Sequence, residues 1–140
     1  MSRQLPMVST RPLGRARRTD FARGRTGLLA WVAPLTLLVV ASALGSVGRI
    51  STTLEGLLLI VGTSLFGGLC LVNALECGRT HCWIDGVGLP ALALIGGLGV
   101  VGVIPISWGT FLSTLWAVVG LSFLAECIYG PYLPTRPVRQ

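Results

Sequence analysis

Charge is what this chain has least of. Only 11% of its 140 residues are Asp, Glu, Lys or Arg, against roughly 25% in soluble globular domains, and a mean hydropathy of +0.77 excludes an ordinary water-soluble fold. Lysine is absent, so all 11 basic residues are arginines, and there is a single histidine, His81. The scarcity has a pattern: no charged residue lies between Arg25 and Arg49, between Glu55 and Glu76, or from Gly86 to Ala125. A helix needs roughly 20 apolar residues to cross about 30 Å of hydrocarbon. The first two gaps each supply one crossing. The third is too long for one helix and is broken at Pro105-Ile106-Ser107-Trp108-Gly109, where proline disfavours continuation.

The expected fold is an all-α integral membrane protein with four transmembrane helices in two antiparallel hairpins, at about 28–47, 56–76, 87–104 and 109–128. They form one transmembrane domain over 27–130, flanked by a basic tail at 1–26 and a short tail at 131–140. Thr52-Thr53-Leu54-Glu55 fits a capping box for the second helix, and Asp85 is placed to put a negative charge near the start of the third. Ala41 with Gly45, Ser64 with Gly68 and Ala93 with Gly97 have the four-residue spacing of small residues that lets helices approach, or a second copy dock.

Orientation follows from arginine. Arg3, Arg11, Arg15, Arg17, Arg18, Arg23 and Arg25 precede the first helix, and Arg79, Arg136 and Arg139 fall on the same side after an even number of crossings, leaving Arg49 alone opposite. The positive-inside rule then puts both termini in the cytoplasm of a multi-pass protein of the cell (plasma) membrane. Ala41-Ser42-Ala43 after an apolar run resembles a signal-peptide cleavage site. The apolar run continues past it to Gly48, however, which favours a retained helix. The Arg-rich tail is expected to be disordered and to attract anionic lipid headgroups, at about 1 kcal/mol per basic residue. No aromatic interleaving or recognised fold accompanies the basic tail, so nucleic-acid binding is not expected.

Against this apolar background, Glu76-Cys77-Gly78-Arg79-Thr80-His81-Cys82 packs two thiols, an imidazole, a carboxylate and a guanidinium into seven residues. With the helices above it is a cytoplasmic turn between the second and third. Cys70, Asn73 and Cys77 share a stripe if the second helix persists, and Glu126-Cys127 ends the fourth helix as Glu76-Cys77 ends the second, an echo that would make Cys77 and Cys127 neighbours. Thiolates with imidazole select soft or borderline ions. The expected site is therefore a mercury, copper or zinc class ion held by Cys77 and Cys82, with His81 or Cys127 third and Cys70 deeper. Glu76, Arg79, Asn73 and Glu126 would support these ligands from behind. The spacing departs from structural zinc pairs, and neighbouring His81 and Cys82 are expected to point apart in an extended loop. The plainer reading is structural, with Gly78 capping the second helix and the thiols as small packing residues.

Asn73 followed by Cys77-Gly78-Arg79-Thr80-His81-Cys82 resembles a loop in small multi-pass prokaryotic membrane proteins of uncharacterised function. The general plan is similar to mercuric-ion membrane transporters, though their adjacent cysteine pair is missing, so the similarity implies soft-metal handling only as a class. It is also similar in size to four-helix thiol oxidoreductases of the vitamin K epoxide reductase type, which depend on a Cys-x₂-Cys pair absent here. Soft-metal transport or resistance is thus the expected function, a non-catalytic accessory subunit of a larger membrane complex the alternative, and catalysis by Cys82 with His81 the least expected.

Overall fold

Four apolar runs without internal charge can satisfy their backbone only as helices when water is excluded, and the described residues form four helices. The computed structural model describes residues 25–130. They comprise α1 (Arg25–Ser46), α2 (Thr52–Cys77), α3 (Thr80–Val100) and α4 (Trp108–Tyr129). Three of them, over Thr52–Leu75, Thr80–Val100 and Trp108–Tyr129, are long and apolar enough to cross a membrane, and a shorter apolar stretch covers Ala30–Ser46. Their length and composition suit a membrane protein. Its outer surface agrees: Val39, Leu75, Leu94, Val87 and Leu121 are exposed large apolar side chains, as lipid contact requires. The tails at 1–24 and 131–140, with the expectations of disorder and anionic-lipid attraction placed on them, lie outside the described residues.

The helix ends are set by local chemistry. Ser51 is extended and its hydroxyl accepts from the Leu54 amide at 3.2 Å, capping α2. The expected capping box was one residue late, because Thr52 is already helical and Glu55 instead donates its amide to the Ser51 carbonyl. Removing that cap by Ser51→Ala is expected to cost about 1 kcal/mol, read as a lower unfolding midpoint in detergent; an unchanged midpoint would show the cap to be idle. At the other end Gly78 takes the left-handed conformation, φ 71°, and returns its amide to the Ala74 carbonyl at 2.8 Å. Only glycine does this without strain, so the expected carboxyl cap is present.

The largest departure from expectation is the start of α3. It begins at Thr80, not near Val87. The connection from α2 is only Gly78-Arg79, so Thr80, His81, Cys82 and Asp85 sit on the first turns of a helix and not in a loop. Asp85 is no helix-end charge; it is buried. Thr80 donates from its hydroxyl to the Gly130 carbonyl at 2.9 Å, which ties the start of α3 to the end of α4.

Each helix packs on its neighbour in sequence, with α2 also touching α4. The core is Leu38 and Ala41 of α1, Leu59 and Phe66 of α2, Leu89 and Leu92 of α3, and Phe111 and Leu115 of α4. Close approach between α2 and α3 depends on Gly86, where an added Cβ would lie 2.8 Å from the Cα and amide nitrogen of Leu71, and that between α3 and α4 on Gly96, where it would lie 2.8 Å from the Phe111 ring. The expected spacing motif is only half used. Ala41 and Ala93 are buried, whereas a Cβ on Gly68 or Gly97 would meet nothing within 4 Å.

Candidate functional site

The polar residues gather where the end of α2, the start of α3 and the end of α4 meet. α2 contributes Cys70 and Asn73, three residues apart and therefore on one face. α3 contributes His81, Cys82 and Asp85, and α4 contributes Ser122, Phe123 and Glu126. Cys82 is fully buried. Its sulfur receives a hydrogen bond from the Asn73 side-chain amide at 3.2 Å and faces His81 Nε2, also at 3.2 Å. The other ring nitrogen, Nδ1, pairs with the Glu126 carboxylate, and the imidazole stacks on Phe123 with centroids 4.9 Å apart and planes 18° from parallel.

A carboxylate only accepts, so Nδ1 carries a proton, and in the neutral ring Nε2 is left with a bare lone pair facing the thiol. The result is a thiol, an imidazole that can take its proton, and a carboxylate that fixes the ring. Cys70 brings a second buried thiol within interaction range of Cys82.

Beside this array lies a cavity of about 220 Å³. Its polar lining is Cys70, Asn73, Arg79, His81 and Asp85; Trp31, Phe66 and Phe123 wall the remainder. The Trp31 and Phe66 rings meet edge to face at 5.4 Å. Asp85, with 1% of its surface exposed, accepts a hydrogen bond from the Ser122 hydroxyl at 2.9 Å through Oδ2. Oδ1 of Asp85 and Oδ1 of Asn73 are buried without a protein partner.

The sequence therefore named most of the constellation but arranged part of it wrongly. His81 and Cys82 do not point apart: the first turn of α3 turns their reactive atoms toward each other. Asn73 donates to the Cys82 sulfur and Glu126 pairs with the His81 ring. Cys70, expected deeper than the other thiols, is buried and borders the same space. Cys127 is exposed on α4 and does not border the cavity; it is the adjacent Glu126 that reaches α3. The side chains of Glu76 and Cys77 lie outside the described residues, and with them the expected Cys77 to Cys127 contact. Among the described residues no three of His, Cys, Asp and Glu are arranged to hold a metal ion together.

Trp31, Phe66, Ser122 and Phe123 carried no sequence signal, being apolar or small residues within apolar runs. Asp85 did carry one, a lone carboxylate at the edge of a forty-residue uncharged stretch. No protein-family model, curated protein or solved structure matches the chain.

Proposed function

We propose that this protein handles a soft metal ion as substrate, in transport or resistance, across or at the cell membrane, with both termini cytoplasmic. The observation that carries the reading is the buried pair of thiols, Cys70 and Cys82, with His81 Nε2 3.2 Å from the Cys82 sulfur. Thiols bind metal as thiolates, so ion binding releases protons. The Cys82 proton has an acceptor already in place, and Glu126 stabilises the imidazolium that results. Among the described residues, the buried thiols at the site are Cys70 and Cys82. Zinc takes four ligands in structural sites, whereas soft ions such as Cu(I) or Hg(II) are content with two sulfurs. Copper and mercury are therefore favoured over zinc, and Cys127 leaves the primary ligand set.

The full-length protein, purified in detergent, loaded with Cu(I) or Hg(II) and desalted, is expected to retain close to one ion per chain by elemental analysis. The Cys70→Ser/Cys82→Ser form is expected to retain none, and Cys127→Ser to behave as the native protein. Equal loading of the native and doubly substituted proteins would overturn the reading. So would no loading of either, and a stable protein partner co-purifying in that case would favour an accessory subunit.

A further inference from the structure

The cavity holds chemistry that the thiol pair leaves unused. Asp85 is 1% exposed and Asn73 4% exposed, both border the cavity, and each has a side-chain oxygen without a protein partner. Such buried groups are costly unless satisfied, and a carboxylate more so than an amide. Ser122 serves only Oδ2 of Asp85. These two oxygens are acceptors. A ligand that satisfies them brings N–H or O–H donors, and one that also offsets the carboxylate brings positive charge.

The remaining wall is aromatic. Trp31, Phe66 and Phe123 present rings to the same space, and aromatic faces attract cations within about 6 Å of the ring centroid, most strongly where water is excluded. The two cationic side chains of the lining are already engaged. His81 pairs with Glu126, and Arg79 has an interaction of its own. At about 220 Å³ the space falls below the ~300–1,000 Å³ of drug-sized pockets, so the occupant is small.

We infer that the cavity between Asp85, Asn73 and the rings of Trp31, Phe66 and Phe123 binds a small organic ammonium ion, its N–H groups donated to Asp85 Oδ1 and Asn73 Oδ1. The inference does not rest on the metal reading, because the atoms that would recognise the ammonium are the two side-chain oxygens and the aromatic rings. The ammonium can belong to a free amine or to a lipid headgroup, and the two sources are separable by experiment.

The probe is benzylammonium, with benzyl alcohol as its uncharged counterpart, titrated into the full-length protein in phosphatidylglycerol nanodiscs and followed by calorimetry and by tryptophan fluorescence. Saturable binding of benzylammonium in preference to benzyl alcohol is expected. Charge-assisted hydrogen bonds contribute ~1.5–3 kcal/mol, so Asp85→Asn is expected to weaken benzylammonium by roughly tenfold or more and to leave benzyl alcohol unchanged. Asn is close to Asp in size and its amide can still meet Ser122, so the variant tests charge and not folding.

Cys127→Ser, at an exposed residue that does not line the cavity, is expected to bind benzylammonium as the native protein does. Nanodiscs containing phosphatidylethanolamine distinguish the sources: a weaker apparent affinity there means that the headgroup competes for the site, and an unchanged one means that a free amine is the ligand. Equal affinity for benzylammonium and benzyl alcohol would overturn the inference, as would Asp85→Asn binding benzylammonium as tightly as the native protein.

Discussion

Gly86→Val is expected to be the most disruptive single substitution in the described part of the chain. A Cβ at this position would sit 2.8 Å from the Cα and the amide nitrogen of Leu71, inside any real contact. The obstacle is backbone, which cannot rotate aside as a side chain does. α2 and α3 must therefore separate, and their interface is the most extensive in the fold. Forcing extra methyl groups into a packed interior typically costs ~1–3 kcal/mol. Here the upper part of that range is expected, because helices in lipid are held by close packing and interhelical hydrogen bonds, without a hydrophobic force to press them together again.

The same movement would carry Cys70 and Asn73 away from His81, Cys82 and Asp85, so metal loading should fall with stability. Gly68→Val and Gly97→Val are the controls, since a Cβ on either meets nothing within 4 Å. The measurement is the thermal midpoint in detergent together with the yield of monodisperse protein. If Gly86→Val matched Gly97→Val in both, the close approach of the two helices would be wrong.

Removing the carboxylate behind the imidazole is the second large effect. Glu126→Ala leaves Nδ1 of His81 without its acceptor and the ring held only by its stacking on Phe123. Such supporting partners typically account for 10–100-fold in metal affinity or activity, and a loss of about that size is expected in the affinity for Cu(I) or Hg(II), measured by competition with a chelator of known strength. The loss has two sources: the ring no longer points its lone pair at the Cys82 sulfur, and the imidazolium formed on taking the thiol proton loses its counter-charge. Glu126→Gln separates them. Its amide oxygen can still accept from Nδ1, so an intermediate affinity is expected. If Glu126→Ala bound as tightly as the native protein, His81 would have no part in the site. Cys127→Ser, one residue along, is expected to have little effect, since that side chain faces outward.

How much of this was legible in the sequence depended on which interactions are local. The four helices were readable because a charged residue within an apolar crossing is costly, so the uncharged gaps mark the helices almost by themselves. Gly78 as a cap was readable because the left-handed turn it makes is a property of one residue. The start of α3 was not. Thr80-His81-Cys82-Trp83 reads as a polar loop by composition, and its helical state is favoured by contacts distant in the chain: the Thr80 hydroxyl on Gly130, His81 on Phe123 and Glu126, and Cys82 under Asn73. For the same reason the pairing of Asp85 with Ser122, 37 positions away, left no trace in the sequence. At the end of α4 it is Glu126 that reaches His81, whereas Cys127 is exposed.

The position of Asp85 along α3 has an electrical consequence. It lies five residues past Thr80 in a helix of 21, about 7.5 Å along the axis at 1.5 Å per residue, or roughly a quarter of a ~30 Å hydrocarbon layer. An elementary charge moved across a whole membrane gains or loses about 2.3 kcal/mol per 100 mV. A cation travelling from the nearer face to Asp85 crosses only part of that drop, so its occupancy should change by about 0.6 kcal/mol per 100 mV, close to threefold. Voltage would then act on the site as a second, weaker selector, deciding how often the cavity is filled without touching its shape.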